Sequence, residues 1–270
     1  MTANDSLFAG SIPQLYERYL VPLLFESYAL DLAGRVAGLA PRDVLETAAG
    51  SGVVTRALAA RLPRDVRIMA SDLNQPMLDH AASRQAQDGR ITWRQADALS
   101  LPFADQSFDV AACQFGVMFF PDKVRGYCEA RRVLKPGGHF IFNVWDGLAE
   151  NDFSLVVAEA VASLFPADPP RFLARTPYAY HDIGGIRAEL AAAGFAKVSV
   201  DKVARTSCAP SPREPAMGLC LGAPLRSEIE ARDASRLDEA VNAAAEALAR
   251  RFGAGPIEGR MSAYVFTAVC

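Results

Sequence analysis

Between residues 43 and 144, short apolar runs alternate with stretches of helical periodicity, and few architectures accept that pattern. The apolar runs fall at residues 44–46, 66–70, 91–93, 108–112 and 139–144, with helical patterns at 54–62, 77–87 and 123–134 between them. Strand and helix alternating at this spacing predict βαβ units, hence a parallel sheet covered by helices on both faces. Two later runs, at 196–203 and 263–269, bring the expected strands to seven. The fold class is therefore α/β, a doubly wound and mainly parallel seven-stranded sheet. Ligands of such sheets bind at the carboxyl ends of the strands, so the loops there are where function is expected.

Two stretches exceed what a minimal sheet needs. Residues 146–182 hold one helical pattern (153–165) and then Pro166, Pro169, Pro170 and Pro177, too long for an ordinary connection. Residues 207–260 hold Leu237, Val241, Ala244 and Leu248 at helical spacing, stopped by Gly253, Gly255 and Pro256. The reading is one domain over 1–270: N-terminal helices at 1–40, a ligand-binding core at 41–145, and helical cap insertions at 146–182 and 207–260. The first insertion is expected to be a lid; for the second, a lid and a homodimer face both stay open.

Charge and cysteine usage remove several function classes. A net charge of −3 disfavours broad phosphate neutralisation, so nucleic acid is not an expected partner. Residues 1–10 lack the basic-then-apolar order of a signal peptide, and no apolar run reaches the ~18 residues of a membrane span. The five cysteines (113, 128, 208, 220 and 270) form no C-x-x-C pair, and their odd number argues for reduced thiols. His80, His139 and His181 have no ligand-like spacing, so no metal is expected. These features together suggest a cytoplasmic protein without a membrane anchor.

The most informative segment is Val44-Leu45-Glu46-Thr47-Ala48-Ala49-Gly50-Ser51-Gly52-Val53-Val54-Thr55, a strand, a turn of small residues and a helix start. Small residues let the backbone approach a ligand, and the helix N-terminus offers unpaired N–H donors. A dinucleotide fingerprint asks for a third small residue, but that position holds Thr55, or Val53 in the shifted frame. No Gly-Lys-Ser/Thr follows, which excludes an NTP-binding loop. Glu46 closes the strand beneath the loop, where a carboxylate repels pyrophosphate and welcomes a cation. Asp72 ends the second strand, where it can accept ribose hydroxyls, and Asp97 follows the third, where it can accept from an exocyclic amine. Each aspartate alone is more simply a cap or a loop residue. Three acids in order at successive strand ends describe a ligand with a cationic head, a ribose and an aminated base.

These residues, with Phe108-Asp109-Val110 and Leu134-Lys135-Pro136-Gly137-Gly138, resemble the class I S-adenosylmethionine-dependent methyltransferases. The closer likeness is to their small-molecule branch, which includes the quinone-biosynthesis C-methyltransferases. It covers residues 40–145 and departs at Ala48, where the first glycine is usual. It implies a Rossmann-like methyltransferase that binds S-adenosyl-L-methionine and releases S-adenosyl-L-homocysteine. Glu46, Thr47, Ala48, Gly50 and Gly52 would hold the methionine portion, and Asp72 the ribose. Leu73 and Met77 would lie against the adenine, with Asp97 and Ala98 at its edge. Gln114 and Phe115 would line the channel where the methyl meets the acceptor, and Tyr16 or Tyr19 would close over the cofactor's carboxylate.

For the acceptor pocket, Phe119 belongs to the densest apolar cluster near the expected active edge, and Met217 to an apolar stretch of the second insertion. The acceptor is therefore expected to be a small apolar or aromatic molecule. Methyl transfer succeeds largely through alignment and exclusion of water, so no catalytic base is assigned; His181 is a weak candidate, since Tyr180-His181-Asp182 also reads as a helix entry. Two rival readings are a catalytically silent S-adenosylmethionine-binding protein and, less favoured, a nicotinamide-dependent oxidoreductase.

Overall fold

In the computed structural model, which describes residues 12–270, the expected alternation becomes one sheet; the reading of residues 1–10 lies outside the described residues. Its strands are β1 (Asp43–Glu46), β2 (Arg67–Asp72), β3 (Ile91–Gln95), β4 (Phe108–Gln114), β5 (Leu134–Trp145), β6 (Lys197–Ala209) and β7 (Ile257–Val269), side by side as β3-β2-β1-β4-β5-β7-β6. β1 pairs in parallel with β2 and β4, and β2–β3 and β4–β5 are parallel too. β1, β4 and β5 are buried along most of their length, as central strands covered on both faces are. β3 and β6 expose every other residue or more, which suits their places at the two edges. The chain steps from β1 outward to β2 and β3 and returns to β4 on β1's other side, so the order reverses between β1 and β4. That reversal is where a doubly wound sheet opens its ligand crevice.

The chain divides into two compact units. The first comprises Glu26–Val144, His181–Lys202 and Tyr264–Cys270. It contains α2 (Glu26–Gly38), α3 (Val53–Arg61), α4 (Gln75–Arg84), α5 (Lys123–Val133) and α8 (Ile183–Ala192). Its core is aromatic: Phe142 stacks on Phe266 with centroids 5.0 Å apart, and Phe140 and Tyr127 lie within 5.5 Å of Phe142.

Among the described residues the second unit takes 12–25, Trp145–Tyr180 and Val203–Ala263. It is mostly helical: α1 (Ile12–Leu15) running into a π-helical stretch (Tyr16–Phe25), then α6 (Asp152–Leu164), α7 (Phe172–Arg175), α9 (Arg213–Leu221), α10 (Leu225–Asp233) and α11 (Leu237–Phe252). Tyr16 stacks on Phe25 at 4.9 Å, Phe25 touches Trp145 and Trp145 touches Tyr178, whose hydroxyl hydrogen-bonds Ser154 at 2.7 Å.

Several boundaries move from their expected places. The helix expected at 77–87 runs from Gln75 to Arg84, with Pro76 in its first turn where a missing N–H costs nothing. The strand expected at 139–144 starts at Leu134: the ladder pairs Leu134 with Phe108, then shifts register and resumes at His139 opposite Val110. Gly137, at φ 78°, sits within that irregularity. The strand expected at 196–203 continues to Ala209, and the one expected at 263–269 begins at Ile257, so both reach into the stretch read as an insertion.

Candidate active site

The site is built on the carboxyl end of β1 and the turn that follows it. Glu46, paired with Ala70 of β2 and Ala112 of β4, stands at the order reversal and is 2% exposed. The turn is tied to both neighbouring strands: Thr47 N–H donates to Ala112 O at 2.9 Å and Ala49 N–H to Ser71 O at 2.9 Å. Ala48, Gly50 and Gly52 take left-handed φ values of 53°, 57° and 79°. The turn thus survives with alanine at its first position, at a backbone cost glycine would not carry. At Gly52 a Cβ would meet both Ala81 and Trp93 at 3.0 Å and would sit on a left-handed backbone, so a side chain there is both crowded and strained.

Glu46 is an unusual acid. Thr55 Oγ1 donates to its Oε2 at 2.5 Å, yet burial outweighs this bond and pushes the carboxyl up to about 8. The Asp72 charge adds to the rise and Arg56 opposes it. A buried acid of this kind is poised for a cationic ligand.

Asp72, at the tip of β2, is also buried, and burial raises its carboxyl above the usual range against the hydrogen bonds it accepts. Its Oδ2 accepts Gly50 N–H and its Oδ1 accepts Asn74 N–H, both at 2.8 Å, so one carboxylate fixes the loop after β1 and the loop after β2. Leu73 next to it is 51% exposed, an apolar side chain open at the strand end. Met77 is buried, its Cε 3.6 Å from where a Cβ on Gly50 would lie.

Asp97 is exposed and Ala98 half-buried. Ala96 N–H donates to Asp72 O at 3.0 Å, which joins the ends of β2 and β3, while Asp97 Oδ1 accepts Leu99 N–H at 2.9 Å in an Asx turn. α5 staples this loop: Glu129 accepts Leu101 N–H, Arg125 donates to Leu99 O, and Arg132 donates to Leu101 O and Phe103 O.

Beyond β4, Gln114 is half-buried, and Phe115 is buried edge-on to Tyr28 at 5.3 Å with a left-handed φ of 49°. Asn143 of β5, fully buried, accepts Phe115 N–H on its Oδ1 at 2.9 Å and so holds that strained turn. Gly116 follows, and a Cβ there would fall 2.5 Å from Ala48 Cβ and 2.7 Å from Cys113 Sγ. The turns after β1 and β4 therefore touch, and a methyl at 116 has nowhere to go. Gly116→Ala should cost about 1–3 kcal/mol in urea unfolding; an unfolding midpoint equal to wild type would show that the two turns part freely.

The structure thus brings together Glu46, Thr47, Ala48, Gly50, Gly52, Asp72 and Met77, with Leu73, Asp97, Ala98, Gln114 and Phe115 on adjoining strand ends. Phe119 lies half-buried in the short helical turn Val117–Phe119 of the same unit. Tyr16 and Met217 belong to the helical unit, Tyr16 stacked on Phe25 and Met217 half-buried in α9. His181 is exposed beside Asp182, which caps α8 by accepting the Gly184 and Gly185 N–H groups at 3.1 Å. Three residues that shape the site were not singled out from sequence for it: Thr55, Gly116 and Asn143. Asn143 carried a signal, as the one polar side chain in Phe140-Ile141-Phe142-Asn143-Val144.

Comparison with known proteins agrees with this geometry. Residues 45–142 match the family model described as a methyltransferase domain. A demethylmenaquinone methyltransferase of Clavibacter sepedonicus is 33% identical over 172 residues, covering 60% of this chain and 69% of the relative. The chain belongs to the methyltransferase-domain family. The resemblance drawn from the sequence stands, and this is a methyltransferase of the S-adenosylmethionine-dependent class. Its fold recurs in a Haemonchus contortus phosphoethanolamine N-methyltransferase in complex with S-adenosyl-L-methionine (TM-score 0.58, 17% identity, 95% of this chain and 56% of that one). It also recurs in the cyclase SpnF (TM-score 0.56, 19% identity, 91% and 80%), so this fold alone does not define a reaction. Among the described residues of the methyltransferase, no helix is long and apolar enough to cross a membrane.

Proposed function

We propose that this methyltransferase holds S-adenosylmethionine along the ends of β1, β2 and β3 and transfers its methyl group to a small apolar or aromatic acceptor. The observation that carries this reading is the acid series: buried Glu46 under the loop, buried Asp72 tied to Gly50, and exposed Asp97 one strand further out. Glu46 and the backbone from Thr47 to Gly52 receive the amino-acid end, the turn being held open by the left-handed residues Ala48, Gly50 and Gly52. Asp72 receives the ribose hydroxyls. Leu73 and Met77 supply the apolar surface for the base, with Asp97 and Ala98 at its edge. When bound, the donor supplies a methyl on a positively charged sulfur, which an electron pair of the acceptor displaces in line. The residues at the end of β4 hold the reacting end: Asn143 fixes the turn at Phe115, beside Gln114, and the apolar side chain of Phe119 lines the acceptor's approach and excludes water.

The name of the Clavibacter relative favours a quinone-like acceptor. A net charge of −3 gives no footing for a nucleic-acid substrate, and the reading places the enzyme in the cytoplasm. Calorimetric titration with S-adenosylhomocysteine, with NAD as control, is the direct test, followed by transfer of labelled methyl from S-adenosylmethionine to a panel of reduced naphthoquinones and other aromatic acceptors. Binding of S-adenosylhomocysteine without NAD binding, and label on an aromatic acceptor, are expected. Binding without transfer to any acceptor would favour a silent binding protein, and preference for NAD would overturn the reading.

A further inference from the structure

The fingerprint position at Thr55 explains what kind of site this is not; the structure shows what the threonine does. Thr55 is fully buried in the first turn of α3, and its hydroxyl donates to Glu46 Oε2 at 2.5 Å. Glu46 is held from its other side through its backbone, where its carbonyl accepts Ser71 Oγ–H at 3.0 Å. We propose that Thr55 is a positioning residue for the donor: its hydroxyl orients the Glu46 carboxyl so that the acid can meet the positive end of the ligand. This rests on the reading that Glu46 receives the amino-acid end of S-adenosylmethionine.

The charged groups that bear on Glu46 make the hydroxyl matter. Asp72 on β2 disfavours the carboxylate, Arg56 on α3 favours it, and burial opposes it more than either. Cys113 on β4 is itself pushed up to about 12 by burial, so it stays a neutral thiol near pH 7. At neutral pH the acid is then mostly protonated in the free protein, and uptake of a cation must expel that proton. Removing the Thr55 hydroxyl removes a donor that stabilises the anion, and the expulsion moves to higher pH by about one unit or more.

The experiment is calorimetric titration of S-adenosylhomocysteine from pH 6.5 to 9.5 in pairs of buffers with different ionisation heats, which gives affinity and protons released together. It compares wild type with Thr55→Val, Thr55→Ser and Glu46→Gln; melting curves confirm folding, and Thr55→Ala replaces the valine variant if that fails to fold. Wild type should release a proton that Glu46→Gln does not, and the difference cancels any contribution from the ligand's own amine. Thr55→Val should bind about tenfold more weakly at pH 7, with the gap narrowing towards pH 9.5. Thr55→Ser should restore the wild-type profile. A packing role would lower affinity equally at every pH, and a valine variant with the wild-type pH profile overturns the proposal while leaving the donor reading intact. If wild type binds no S-adenosylhomocysteine at any pH, the donor reading falls and takes the proposal with it.

Discussion

Replacing Glu46 by glutamine should make the ligand-free protein more stable at pH 8 while changing little below pH 4.5. The reason is the burial of a carboxyl that titrates near 4.5 in an unfolded chain and near 8 in the folded one. Between those values the folded state holds a proton that the unfolded state has released, so stability falls as pH rises and levels off once the folded carboxyl has ionised. Over that span the loss is at most ~5 kcal/mol, and burial is its first cause. Asp72, raised by burial as well, adds to the same trend. Glutamine keeps the size and cannot ionise, so its variant should lose much less stability from pH 5 to pH 8. Urea unfolding at pH 5, 6.5 and 8 measures it. Equal slopes for wild type and variant would mean that water reaches Glu46 and the acid is an ordinary one.

The second large effect is on the donor. Asp72→Ala should weaken S-adenosylhomocysteine at least ~100-fold, because the two charge-assisted bonds to the ribose proposed for it would each be worth roughly 1.5–3 kcal/mol. The same substitution releases Gly50 N–H and Asn74 N–H, so the loops after β1 and β2 lose the carboxylate that ties them together. Asp72→Asn separates the parts: it keeps one oxygen for the loops but places an NH₂ where a hydroxyl or a backbone N–H should donate. It should retain most of the thermal stability and still bind poorly. Affinity within threefold of wild type in either variant would remove Asp72 from the proposed ribose site.

What could be read in advance follows the physics of each signal. β1, β2 and β4 are apolar runs bounded by turn residues and covered on both faces, and their existence is plain from Val44, Ile68 and Val110 outward. The acids at 46, 72 and 97 were visible because their spacing follows strand ends, which need no tertiary information. The ends of β6 and β7 were hidden: Thr206 and Cys208 are exposed on an edge strand, and Glu258 and Arg260 are exposed near the start of β7. Local pattern reads such residues as insertion. The contacts of Thr55 and Gly116 were hidden for another reason. Their value lies in partners 9 and 68 positions away, Glu46 and Ala48, that only the closed sheet brings together. Asn143 was legible as an oddity in an apolar strand, though not as the acceptor for Phe115 N–H.

The strand order also sets a timetable for synthesis. Of the seven strands of this sheet β7 is made last, yet it lies between β5 and β6. Until it arrives β6 has no neighbour in the sheet, and Phe142 lacks the ring of Phe266 that completes its stack. The first three strands and β4 can assemble early, since their partners are already made. The far side of the sheet must wait, exposing apolar surface until β7 is made. Nascent chains of this protein should therefore depend on chaperones until β7 is made, well after the turn that follows β1.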